Sequence, residues 1–117
     1  MKVNIENQEM IRVYVIRATG LGSAISTNIY DDNRLIGTTG PNGYLCWERE
    51  AGKTEILAKA ENKSKVYLDT EPGEICYIKQ DIQLGVLMAR TKLELVNEEQ
   101  GKKLLKKCKP PKMKENK

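Results

Sequence analysis

Cys46, Cys76 and Cys108 are the most nucleophilic side chains in this 117-residue chain, and no histidine accompanies them. Thiol and hydroxyl nucleophiles need a base held within hydrogen-bond reach, so only lysine or a carboxylate could serve. The three cysteines are widely spaced, with no CxxC and no imidazole to complete a mixed zinc site, so structural zinc is disfavoured. Cys46 and Cys76 fall within segments that read as strands, where a free cysteine behaves as a small buried hydrophobe. A single bridge between them is the alternative, if their strands stack at the separation a disulfide requires. Cys108 lies among lysines that favour its thiolate, which predicts the fastest alkylation of the three.

The remaining polar clusters have plainer explanations. Asp31, Asp32 and Asn33 offer oxygens to a cation, but without the spaced loop that encloses calcium they read as turn formers. Gly20-Leu21-Gly22 lacks both the third glycine and the following helix of a dinucleotide fingerprint, and reads as a loop. Glu71 and Glu74 flank Pro72-Gly73, a turn that exposes both carboxylates, whereas catalytic pairs need a cleft that separates their pKa values. No catalytic, cofactor or metal residues are therefore assigned, and an enzyme is not expected. Trp47, Tyr44 and Tyr67 could stack on sugars or bases. Core packing is the stronger expectation for Trp47, the sole indole.

These residues are carried by short alternating segments. Ile11, Val13 and Val15 make one apolar face opposite Arg12 and Tyr14. Ile25, Thr27 and Ile29 lead to Tyr30, and Asp31-Asp32-Asn33-Arg34 turns the chain into Leu35-Ile36-Gly37-Thr38 as a hairpin. This predicts a positive φ at Asp32 or Asn33. Thr39-Gly40-Pro41-Asn42-Gly43 reverses the chain into the strand around Trp47. Thr54, Ile56 and Ala58 then face away from Lys53, Glu55 and Lys59. Val66-Tyr67-Leu68-Asp69 and Ile75-Cys76-Tyr77-Ile78-Lys79 flank a type II turn signal and read as a second hairpin. A last strand runs from Leu87 to Val96. Asn97 caps a short helix with Leu104 and Leu105 on its buried side, and Pro110-Pro111 ends regular structure.

With turn signals roughly every ten residues and no crossover helices, the pattern predicts an all-β, antiparallel β-sandwich, Ig-like or prealbumin-like. It has about seven to eight strands and a short C-terminal helix, and parallel pairing is not expected. One domain fits this length. The expected division is a flexible segment 1–9, a sandwich 10–107 and a basic disordered tail 108–117. The net charge of +4 resides largely in that tail, which contains Lys109, Lys112, Lys114 and Lys117. Nucleic-acid binding across a strand face is disfavoured, because Lys53, Glu55, Lys59 and Glu61 mix their signs.

From Ile25 to Tyr77 the order of elements resembles a known family. The matching pieces are Ile29 to Thr38, Asn42-Gly43-Tyr44-Leu45, Ala51 to Ile56, Val66-Tyr67-Leu68 and Pro72 to Ile78. They are similar to an uncharacterised bacterial lipoprotein family, a domain of unknown function that itself resembles PEGA-type β-sandwich domains. Asn33 stands where that family commonly has glycine, and Cys76 where it often has an aromatic. The resemblance implies a non-enzymatic envelope or periplasmic module that contacts protein or glycan, with no catalytic residues to transfer. Membrane attachment would then come only through a lipid anchor on a removed leader. If Met1 is the native start, a cytoplasmic location follows instead. The alternative is an intracellular protein- or nucleic-acid-binding β domain that uses its lysine-rich tail.

Overall fold

The computed structural model describes residues 9–22, 24–84 and 89–109. In chain order the elements are β1 (Met10–Arg17), β2 (Thr27–Asp31), β3 (Arg34–Thr39), β4 (Gly43–Glu50), β5 (Lys53–Lys59), β6 (Lys63–Asp69), β7 (Ile75–Leu84), β8 (Ala89–Val96) and α1 (Glu98–Lys106). They form two four-stranded sheets, ordered β4-β1-β7-β8 and β3-β2-β5-β6. The molecule is thus an all-β sandwich with one short helix. Alternation places the core as expected: Ile11, Val13, Val15, Ile29, Ile56, Ala58 and Ile78 are fully buried between the sheets. Burying a branched aliphatic side chain contributes about 1.5–3 kcal/mol, so this cluster is the main source of cohesion.

At the β2–β3 turn both Asp32 and Asn33 have positive φ, at 48° and 70°. That is the backbone a type I′ hairpin requires, and Asp and Asn tolerate it where branched residues do not. In the next turn Asn42, rather than a glycine, takes the left-handed conformation, with φ of 55°.

Two expectations about pairing are overturned. β1 pairs with β7 in parallel, Arg12 opposite Ile75 through Ile16 opposite Lys79. A helix is not needed for that crossover, because the chain between the two strands passes through the whole second sheet. For the same reason β6 and β7 do not form a hairpin. β6 pairs with β5 and β7 with β1 and β8. The Glu71–Glu74 turn does form, with the Glu74 N–H donating to Glu71 at 3.3 Å and Gly73 at φ 87°, but it carries the chain between sheets.

Helix α1 lies over the outer face of the first sheet. Its cap is as predicted, with the Asn97 side chain accepting from the Gln100 N–H at 2.8 Å. Its closest seat is not a leucine. Leu104 and Leu105 are only half-buried, while Gly101 is buried so tightly on Tyr77 that a Cβ there would clash with the ring. On the same face Ile16, which has the outward parity of Arg12 and Tyr14, is nonetheless fully buried. Beyond the helix, the Lys109 N–H donates to the Asn42 carbonyl at 2.9 Å, so residues 108–109 rest on the sandwich. The expected flexible segment 1–9, apart from Glu9, and the tail beyond Lys109 lie outside the described residues, as does Leu87.

Candidate functional site

Polar side chains at inward positions link the two sheets, and they limit where a ligand could enter. Asp31, buried at the end of β2, accepts from Thr54 Oγ1 at 2.5 Å and from Trp47 Nε1 at 2.8 Å. Arg49 Nε lies 2.9 Å from the same carboxylate, without hydrogen-bond alignment. Trp47 is thus half-buried on the core with its indole N–H satisfied, as large aromatics with one polar atom require. The neighbouring Asp32 is exposed, and the backbone N–H of Glu55 holds its carboxyl below the usual range.

At the opposite end Arg17 is fully buried, with no carboxylate paired to it among the described residues. Its guanidinium donates to the carbonyls of Ile25, Gly22 and Thr39 at 2.7, 2.9 and 3.0 Å, and burial lowers its pKa. These bonds order the loop after β1, which explains why Gly20-Leu21-Gly22 is a packed loop. Next to it Thr39 Oγ1 donates to Gln80, and Gln80 donates to Thr91 Oγ1. Along the β6 and β8 margins, Asn62 exchanges bonds with the Thr91 backbone and Ser64 Oγ accepts from the Leu93 N–H. Side chains of one sheet thereby cover the edge of the other.

That closure stops short at the end near β7's start, and there the sandwich opens into a groove of about 310 Å³. Its floor includes Leu68, Cys76 and Leu95, and its rim includes Asp69, Glu74 and Glu98. Leu95 has inward parity, opposite Ile78, yet remains 48% exposed. Tyr67 stands at the lip, 68% exposed, and also lines a second groove of about 440 Å³ on the outer face with Lys53, Glu55 and Asp69. Tyr67 is thus shared by the two concavities. An apolar floor with a few charged groups at the rim is the usual composition of a binding site.

Of the three aromatics named from sequence, the fold therefore separates their roles: Trp47 packs, Tyr67 projects, and Tyr44 joins a cluster beneath the helix. In that cluster Tyr14 stacks on Tyr77 at 5.3 Å and lies 6.1 Å from Tyr44. Nothing in the sequence marked Leu95 as exposed, although its place near the end of an edge strand was a usable signal.

The thiols behave differently from expectation. All three are free. Cys46 is exposed, not buried, because Leu45 and Trp47 take the inward positions of β4 and turn it outward. Its thiol pKa is nevertheless raised, chiefly by partial desolvation, which outweighs the lowering effect of a hydrogen bond with Tyr14. Cys76 packs against the core and burial pushes its thiol up to about 11. Cys108 does not have a favoured thiolate. It is half-buried, with its sulfur 3.6 and 3.7 Å from the carbonyls of Gly43 and Arg17, and desolvation raises its pKa.

Glu71 and Glu74 sit on the exposed turn, and Asp31 and Asp32 point into separate environments. Among the described residues no three Cys, Asp or Glu side chains converge enough to hold a metal ion, and no helix is long and apolar enough to cross a membrane.

No protein-family model matches the sequence, and no solved structure matches the fold. The chain is similar to an uncharacterized protein of Haemophilus influenzae, 31% identical over 96 residues. That similarity covers 81% of this chain and 57% of the relative, so the chain spans a little over half of the relative's length.

Proposed function

We propose that this chain is a non-enzymatic binding module of the bacterial envelope, which holds a protein segment or a glycan strand in the groove beside Tyr67. The single observation in support is the position of that ring, 68% exposed between two concave surfaces. An exposed aromatic with apolar floor on one side and charged groups on the other suits a ligand with both apolar faces and hydrogen-bonding groups. The acidic rim of Asp69, Glu74 and Glu98 adds a preference for a ligand with positive charge or many hydroxyls. The envelope setting rests on the likeness of the strand and turn motifs to lipoprotein domains related to PEGA-type sandwiches.

Co-sedimentation of the full chain with purified peptidoglycan sacculi, and crosslinking to an envelope protein fraction, test the two ligand classes. Stacking on an aromatic contributes about 1–3 kcal/mol, so Tyr67→Ala should weaken the relevant interaction by about tenfold or more. Its melting temperature should stay close to that of the parent, since the side chain is mostly in solvent. Equal binding by parent and variant in both assays would refute the groove as the site.

A further inference from the structure

Strand direction sorts the surface charge between the two ends of the sandwich. At the end where β1 finishes, the exposed charged residues among those described are Lys59, Lys63, Arg90, Lys106, Lys107 and Lys109, with Glu61 as the carboxylate. Register places them together: Arg17 is opposite Gly43, Lys59 is opposite Lys63, Gln83 is opposite Arg90, and the Cys108 sulfur rests on the Arg17 and Gly43 carbonyls. Glu98 and Glu99 pair with Lys102 and Lys103 farther back along α1, which leaves the last lysines of the helix without an ion pair among the described residues.

The other end has the opposite sign. Asp32, Glu50, Asp69, Glu71 and Glu74 are exposed there, with Arg34 and Lys53 as the counter-charges. A domain with a basic and an acidic end has a large dipole, and a charged surface orients it before contact.

The basic end also presents two apolar tips. Leu21, in the loop after β1, is 47% exposed, and Leu84, at the end of β7, is 56% exposed. Gly22 holds that loop against Ile82 and Leu84, which brings the two tips to one place.

We infer that the basic end of the sandwich docks on an anionic lipid surface, with lysines and Arg90 on the headgroups and Leu21 and Leu84 at the acyl boundary. Polyanions of either kind reward the lysines. Only a bilayer also rewards two leucines that project from the same end, because apolar side chains gain free energy on leaving water for the interface. The acidic end is repelled, so the domain stands upright on the membrane and its Tyr67 groove, at the acidic end, faces away from it.

Vesicle sedimentation of the full chain tests this, with phosphatidylcholine alone against an equimolar mixture of phosphatidylcholine and phosphatidylglycerol. Binding should appear only with the anionic lipid and weaken as salt rises. Each lysine near the surface contributes about fivefold in affinity, so the triple variant Lys59→Ala/Lys63→Ala/Lys107→Ala should bind about 100-fold more weakly. Leu21→Ser/Leu84→Ser should bind the same vesicles at least tenfold more weakly, while Glu71→Gln at the acidic end should bind at least as well. The substitutions are at exposed positions, and circular dichroism checks that each variant folds. Absence of binding to the mixed vesicles would overturn the inference. So would binding to duplex DNA that depends on the lysines and not on the leucines, or low-salt head-to-tail association of the chain in place of vesicle binding. None of these outcomes depends on whether Tyr67 binds a ligand.

Discussion

Replacing Asp31 with alanine leaves the Trp47 indole N–H and the Thr54 hydroxyl without their acceptor and takes the nearer carboxylate from Arg49, which keeps Asp32 at 3.7 Å. A buried donor left unsatisfied costs about 1–3 kcal/mol, a sizeable fraction of the roughly 5–15 kcal/mol that holds a domain this size together. Urea unfolding should show a loss of that order for Asp31→Ala and a smaller loss for Asp31→Asn, which keeps an acceptor. The thiols give a second test at this scale. Timed alkylation of the folded chain should modify exposed Cys46 first, Cys108 more slowly and Cys76 last. Because the Cys76 pKa is raised to about 11, the folded state holds that proton more tightly than the unfolded chain does. The stability this adds is complete below the ordinary thiol range and declines as pH rises toward 11. Alkaline unfolding of Cys76→Ala should be correspondingly less steep. A pattern of hydrophobic alternation cannot reveal Arg17, Asp31, Arg49 or Gln80 as interior groups, since polar residues simply interrupt it. Parity would have sorted Cys46 correctly, because neighbours of inward Leu45 and Trp47 must point outward.

At the scale of elements, α1 is held by shape more than by its leucines. Alanine favours helix over glycine by about 1 kcal/mol, so an isolated helix would gain from Gly101→Ala. Here the added carbon would run into the Tyr77 ring, and overpacking of a rigid aromatic costs about 1–3 kcal/mol. The clash prevails. A lower melting temperature and faster proteolysis between the helix and β8 should follow, and an unchanged melt would show that the helix adjusts freely. The β2–β3 hairpin, the strand alternation and the Asn97 cap were all legible, because each is a local rule that one stretch of chain obeys alone. The destination of β7 was not. A Pro-Gly turn has the same sequence whether it closes a hairpin or passes the chain to the facing sheet, and only the pairing demand of β1 distinguishes the two. The groove beside Tyr67 was half legible: the aromatic was evident, but the concavity needed β6 and β8 to be brought together from distant parts of the chain.

For the whole molecule, β1 is the first of the described strands in chain order and also an interior strand of its sheet, between β4 and β7. Its partners are far along the chain, and topologies dominated by distant pairings fold in about milliseconds to seconds where helical bundles take microseconds. Stopped-flow refolding should therefore give a main phase in the slower range, and a microsecond phase that recovers the native Trp47 signal would contradict it. The same geometry has a consequence during synthesis. Ribosomes add about 5–20 residues per second, so the Ile11–Ile16 segment waits several seconds for the polypeptide that will lie along its second edge. Throughout that interval a sticky, open-sided ribbon is available to any passing chain. A holdase that shields it until translation ends would raise the yield of folded protein more than any improvement of the finished core.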